Sequence, residues 1–310
     1  MAKTVLLTGG TGLIGTRLTE LLQQRGYAVG LLVRGETPQN RIPPGVNTYA
    51  WDVRRGQIDE RALSAADHLI HLAGAGIADA RWTDERKREI LESRTRSAAL
   101  LAEGLRRTGH RPRSFVSSSA IGYYGADTGP EWMSEQYTPG IDFMAGVCVA
   151  WEEAADEVAA LGVRTVKLRT GIVLSEKGGA LAKIAAPIRY GVGAPLGSGK
   201  QAQSWIHLDD VCRMYIAAME TETWSGAYNA VGPHPVTNEE LTKTVAAVLR
   251  RPLWLPHVPE WALRAWFGDM AVVVTGGSYV LNQRIRLETD FQYGFPELRP
   301  ALEDLLMTKK

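Results

Sequence analysis

The most legible chemistry lies near the amino terminus, in three glycines and an arginine. Gly9, Gly12 and Gly15 recur at intervals of three in Gly9-Gly10-Thr11-Gly12-Leu13-Ile14-Gly15. An apolar run, Thr4-Val5-Leu6-Leu7-Thr8, comes directly before them, and leucines at helical spacing follow. Positions without a Cβ let the backbone turn tightly and approach a diphosphate, and unpaired amides at the start of the next helix receive its charge. Gly9, Thr11, Gly12, Leu13, Ile14 and Gly15 are therefore expected to hold a dinucleotide; a turn shaped only for packing is the alternative. The next apolar run ends Leu32-Val33-Arg34, where a site for NAD usually places Asp or Glu on the ribose hydroxyls. A guanidinium there suits the 2′-phosphate of NADP instead. NADP is the expected coenzyme, with NAD less favoured. Asp52, where a third strand should end, is a candidate acceptor for the adenine amine, and Leu72, Ala73 and Gly74 complete the expected coenzyme contacts.

A second group lies in Ser117-Ser118-Ser119-Ala120-Ile121-Gly122-Tyr123-Tyr124-Gly125, at the end of another strand-like run. A serine hydroxyl or phenol there can bond a substrate carbonyl oxygen as it gains charge during hydride arrival. Ser119, Tyr123 and Tyr124 are the candidate catalytic side chains; serines that merely cap and turn the chain are the alternative. Trp82 and Trp205 can supply flat walls of a substrate pocket, although core packing explains tryptophans equally well. Arg81, Arg94 and Lys200 are candidate cations for an anionic substrate, with surface solvation as the plain alternative. No His-Glu-x-x-His, Cys-x-x-Cys or clustered Asp/His pattern points to a metal, and no Gly-x-Ser-x-Gly elbow points to a hydrolase.

These residues must be positioned by elements that the pattern also predicts. Short apolar runs at 3–8, 28–33, 67–73, 114–118 and 165–168 read as buried strands, and helical spacing at 16–25, 83–107 and 143–161 separates them. Strands alternating with helices imply parallel pairing through right-handed crossovers. The expectation is an α/β fold: a Rossmann-like, doubly wound parallel sheet with a smaller C-terminal substrate lobe over the crevice at the strands' carboxyl ends. The dinucleotide domain is placed at 1–172, with 204–230 returning to it. The lobe is placed at 173–203 and 231–310, where Gly and Pro thicken.

Composition narrows the class. Across 310 residues, 35 Lys plus Arg stand against 34 Asp plus Glu, so no excess charge advertises nucleic acid or an anionic membrane. No apolar run approaches the roughly 18 residues of a membrane span. Two cysteines, Cys148 and Cys212, make neither a disulfide framework nor a zinc site. Glycine arrives too soon after Met1 for a secretory signal, so a cytoplasmic chain with a small-molecule substrate is expected, its oligomeric state open.

Together the glycine loop, the Ser-Ser-Ser-Ala-x-x-Tyr-Tyr-Gly run and Ser204-Trp205-Ile206-His207-Leu208-Asp209-Asp210-Val211 resemble an extended short-chain dehydrogenase/reductase. More narrowly the chain resembles the atypical branch labelled "epimerase family protein". Gly74-Ala75-Gly76-Ile77, Arg81-Trp82-Thr83, Ser93-Arg94, Gly197-Ser198-Gly199-Lys200-Gln201 and Tyr293-Gly294-Phe295-Pro296-Glu297-Leu298 carry that likeness. The resemblance implies an NADP-dependent oxidoreductase or epimerase acting on a carbonyl, alcohol or sugar nucleotide, with Ser119 orienting the substrate. It also implies that His207 is a structural joint, with Asp209 or Asp210 capping a helix. The parent superfamily's Tyr-x-x-x-Lys pair is missing: no tyrosine has Lys four residues later. If Glu152 matches the acidic residue that often follows that lysine, the pair falls on Met144 and Cys148. That loss keeps a non-catalytic NADP(H)-binding sensor or scaffold as the alternative.

Overall fold

The computed structural model describes residues 2–35 and 37–307. Its main sheet has eight strands. They are β1 (Thr4–Thr8), β2 (Ala28–Val33), β3 (Asn47–Asp52), β4 (Gln57–Ile58), β5 (His68–His71), β6 (Ser114–Ala120), β7 (Thr165–Thr170) and β8 (Gly226–Ala230). From edge to edge the order is β8-β7-β6-β5-β1-β2-β3-β4, parallel throughout except for the short β3–β4 hairpin. Strands buried on both faces favour continuous apolar runs, which is why β1 and β2 read as hydrophobic rather than alternating. The fold is a Rossmann-like doubly wound α/β sheet.

Helices cover both faces. On one side α1 (Leu13–Gln24) and α6 (Leu208–Glu220) bury Leu18, Leu22, Val211 and Ile216 against the sheet. On the other, α2 (Glu60–Ser64), α3 (Asp84–Thr108) and α4 (Phe143–Ala159) bury Leu63, Leu101, Leu105, Ala155 and Val158. Local sequence fixes the ends of α3. Thr83 Oγ1 accepts from the Arg86 amide at 3.1 Å, Asp84 and Glu85 occupy the first turn, and Gly109 closes the helix at φ 67°.

A separate cluster formed by Leu181, Ile188, Trp205, Leu241, Val245 and Leu302 joins α5 (Gly179–Arg189), α7 (Asn238–Val248) and the C-terminal helix Leu298–Met307. The segment Trp205–His207 runs parallel to Ile172–Leu174 and leads into α6. The expected aspartate cap of α6 is corrected. His207 is the cap, its Nδ1 accepting from the Asp209 amide at 3.1 Å, while Asp209 pairs with Arg17 on α1. Asp210 instead accepts from the amides of Gly294 and Phe295 and so fixes the turn that precedes the last helix. Among the described residues no helix is long and apolar enough to cross a membrane.

Candidate coenzyme and active site

The strand order reverses between β1 and β5, and the carboxyl ends of strands at such a switch point are where doubly wound sheets take their ligands. The glycine loop lies there, directly after β1. Gly9 has φ 67°, and a Cβ there would fall 2.8 Å from the Leu72 carbonyl carbon, which fixes how closely the loops after β1 and β5 approach. A Cβ on Gly15 would lie 2.3 Å from the Gly9 carbonyl oxygen, so α1 meets the loop only because that side chain is absent. Gly12, the cap residue of α1, offers no side-chain acceptor, and no acidic residue occupies the first turn. The positive end of the helix and its first amides, beginning at Leu13 and Ile14, are therefore suited to an anion. Thr11 lies half-buried in the same loop, and the Leu13 methyl groups reach Gly178 and Gly179 at the start of α5. Thr8 Oγ1 accepts from the Leu72 and Ala73 amides, each at 3.2 Å, and binds the β5 loop to β1.

Arg34 stands just past β2, exposed, and it pairs with no carboxylate among the described residues. Asp52 lies at the end of β3 as expected, but its carboxylate closes its own turn. Oδ1 accepts from the Arg54 and Arg55 amides at 2.9 and 3.1 Å, and Oδ2 lies 3.6 Å from Arg55 Nε.

At the end of β6 the side chains are more committed than their types suggest. Ser117 donates to the Ser118 carbonyl, and Ser118 Oγ pairs with the Tyr215 hydroxyl. Ser119 Oγ donates to Glu152 Oε1 at 2.7 Å. Arg169, from β7, grips the same carboxylate through Nε and Nη2 at 2.7 and 2.9 Å. Arg169 Nη1 also donates to the Tyr124 hydroxyl at 3.1 Å, and that hydroxyl donates to Asn229 Oδ1 at 2.8 Å. Burial works against the Arg169 charge, but Glu152 and Tyr124 more than offset it, so the guanidinium holds its proton more tightly than usual.

Tyr124 is thus committed within the protein through its hydroxyl, to Arg169 and Asn229. Burial pushes its phenol up to about 12, against the pull of Arg169. The other phenol differs. Tyr123 is half-buried and lies with its ring 3.4 Å from the Arg169 guanidinium carbon, and its hydroxyl has no protein partner among the described residues.

Trp82 is half-buried, edge-on to Phe143 at 5.1 Å, with its indole N–H donated to the Ile77 carbonyl. Trp205 is corrected: at 1% exposure it belongs to the apolar cluster shared by α5, α7 and the C-terminal helix, and its N–H bonds the His234 carbonyl at 2.9 Å. Arg81 donates to the carbonyls of Ala265 and Trp266, tying the loop before α3 to the helix Glu260–Phe267, and Lys200 is exposed.

On α4, Met144 and Cys148 both approach Gly122, just beyond β6; a Cβ there would lie 3.2 Å from Met144 Cε and 3.6 Å from Cys148 Sγ. Their helical face therefore does look at the end of the serine strand. Burial pushes the Cys148 thiol up to about 12, so it remains neutral. Sequence reading did not anticipate Arg169 and Asn229 in this network. Their separation from the serine run, 50 and 110 residues along the chain from Ser119, leaves no local spacing signal.

A switch point with an uncapped glycine-loop helix beside it is the arrangement of dinucleotide-binding proteins of the doubly wound class. The model of the NAD dependent epimerase/dehydratase family matches residues 5–232, and a domain of unknown function (DUF1731) matches residues 258–305. The chain belongs to the NAD dependent epimerase/dehydratase family. It is 35% identical over 305 residues to the mouse epimerase family protein SDR39U1, covering 97% of this chain and 99% of that one. It is 33% identical over 308 residues to epimerase family protein YfhF of Bacillus subtilis, covering 99% of each. Among solved structures, human SDR39U1 (isoform 2) with NADPH superposes with a TM-score of 0.86 at 33% identity, over 99% of this chain and 100% of that one.

Proposed function

We propose that the chain binds NADP(H) and uses it in an oxidoreductase or epimerase reaction on a small carbonyl, alcohol or sugar-nucleotide substrate. The observation that carries this reading is the pairing of the uncapped, acid-free first turn of α1 with an exposed Arg34 that has no carboxylate partner among the described residues. The NADPH in the human relative's structure supports the same coenzyme. The residues present fit it: missing Cβ atoms at Gly9 and Gly15 shape the cradle, and the guanidinium at the end of β2 suits a 2′-phosphate.

When bound, the coenzyme supplies a hydride donor or acceptor. The chain's own residues position the substrate. Ser119 directs its proton to Glu152, which leaves the Ser119 oxygen as an acceptor for a substrate hydroxyl. Tyr123, whose hydroxyl has no partner among the described residues, is the phenol available to donate to a substrate oxygen. The burial of Ser119 and Tyr124 within a satisfied network favours a second reading, in which the coenzyme is bound but no substrate is turned over.

Calorimetric titration of NADPH and NADH into wild type and Arg34→Ala tests the coenzyme. Loss of a charge-assisted phosphate bond is expected to weaken NADPH by about 10- to 150-fold and to leave NADH unaffected. Equal affinities in the wild type overturn the NADP assignment. A carbonyl and sugar-nucleotide panel then separates the two readings, since turnover that falls in Tyr123→Phe belongs only to the enzyme.

A further inference from the structure

The region beyond the carboxyl ends of β5 and β6 offers a ligand rings rather than charge. Trp82 precedes α3 and Phe143 opens α4, the helices that follow those two strands, and Tyr123 sits in the turn directly after β6. All three side chains are half-buried. The Trp82 indole meets Phe143 edge-on at 5.1 Å and spends its N–H on the Ile77 carbonyl, so only its ring surface is left for a ligand. Tyr123 lays one face on Arg169 and keeps a hydroxyl with no protein partner among the described residues.

The cations around these rings are already engaged. Arg81 donates to the Ala265 and Trp266 carbonyls, Lys87 pairs with Asp269 at 2.8 Å, and Lys183 of α5 donates to the Ala78 carbonyl at 3.1 Å. Arg86 is divided between the Gly76 carbonyl and Glu89, and its Nε is sealed from solvent. Arg169 is held by Glu152. Arg94 gives Nη1 to the Ala75 and Ile90 carbonyls and, at 9% exposure, presents too little surface to meet a diphosphate. Taking a diphosphate out of water without a free cation is strongly unfavourable, whereas a flat apolar ring loses nothing by leaving water for an aromatic wall.

We propose that the substrate is an uncharged aryl carbonyl compound, or the matching alcohol, and not a sugar nucleotide. Its ring lies against Trp82 and Phe143, and its oxygen accepts from the Tyr123 hydroxyl. One phenolic donor matches one carbonyl oxygen. The proposal rests on the NADP-dependent reading above and narrows its substrate.

Protein saturated with NADP+, which has no hydride to give, is titrated calorimetrically with 2-acetonaphthone, with its charged counterpart 2-naphthoate, and with UDP-glucose. The ketone is expected to bind saturably, naphthoate to bind about tenfold more weakly or worse, and UDP-glucose not to bind. Trp82→Ala is expected to weaken the ketone by about tenfold while NADP+ affinity stays at the wild-type value. Trp82→Phe, which keeps a ring, should recover part of that loss and carries the test if Trp82→Ala does not fold. Saturable uptake of UDP-glucose overturns the proposal. So does naphthoate that binds as tightly as the ketone, a ketone indifferent to Trp82, or no uptake of the ketone by protein that has taken up NADP+. Wild type that takes up no NADP+ overturns the coenzyme reading, and the proposal with it.

Discussion

Arg94 and Arg169 are buried almost alike, at 9% and 5% exposure, and both approach Cys148, but their surroundings are opposite. Arg169 meets a carboxylate through two bonds and a phenol through a third, and its proton is held more tightly than usual. Arg94 has two carbonyls, an aromatic face and an unsatisfied edge, and burial weakens its hold on the proton. The contrast separates two kinds of buried charge. One is complete within the protein and braces the floor under β6. The other leaves Nε and Nη2 without a protein acceptor among the described residues.

The largest expected effect tests the completed side. Glu152→Gln preserves shape but leaves Arg169 without its counter-charge, and breaking a buried pair from one side costs about 3–5 kcal/mol. Denaturant unfolding should show that loss, and Glu152→Gln/Arg169→Met should recover much of it. A loss below about 1 kcal/mol, the range of exposed pairs, would mean that solvent reaches the pair and the contrast with Arg94 is false.

Tyr124→Phe follows. The variant leaves Asn229 Oδ1 without the phenol's proton and one Arg169 donor without its acceptor, so stability should fall by about 1–3 kcal/mol. Because the phenol is held at about 12 by burial, a rate profile below pH 10 should keep its shape in this variant. A lost ionisation near neutrality would restore Tyr124 as the acid–base group.

How much of this was legible in the chain follows from the same contrast. The glycine loop and Arg34 are candidates defined by backbone and by a strand end, both set within a few dozen residues, so spacing alone is enough to nominate them. The main strands and helices were legible too. Helix α3 was expected at 83–107 and is found at Asp84–Thr108, its ends set by Thr83 and Gly109. The floor of the site was not legible. Ser119, Tyr124, Glu152, Arg169 and Asn229 meet only once four elements have packed, and nothing local distinguishes a serine bonded to a buried glutamate from one free to meet substrate. Trp205 fails for a related reason, since aromatic type does not tell a pocket wall from a core. Arg94 read as a candidate cation for an anionic substrate or as a solvated surface charge, and its burial was not legible because it comes from α4 and the β5 loop, not from its neighbours in sequence.

The smallest effect sharpens the comparison most, because it reports on the reach of the unpaired charge. His71, on β5, is fully buried between Thr8 Oγ1 at 2.7 Å from Nδ1 and Ser97 Oγ at 3.1 Å from Nε2. Thr8 Oγ1 already accepts two amides, so its own proton is directed at Nδ1 and the neutral ring carries its hydrogen on Nε2. Burial first, and Arg94 second, hold its pKa down to about 3 from 6.5. The folded state therefore binds fewer protons than the unfolded chain between those values. Its stabilising contribution is complete above pH 6.5 and is lost as pH falls toward 3, by up to about 1.4 kcal/mol per pH unit. Denaturant unfolding between pH 4 and 6 should show a shallower slope in His71→Asn than in wild type. In Arg94→Met the lower end of the window should move to higher pH, because one source of repulsion is gone. In Glu152→Gln the window should stay where it is, since the Arg169 network does not enter the balance at His71. An unmoved window in Arg94→Met would mean that the Arg94 charge is already neutralised, and the difference between the two arginines would disappear.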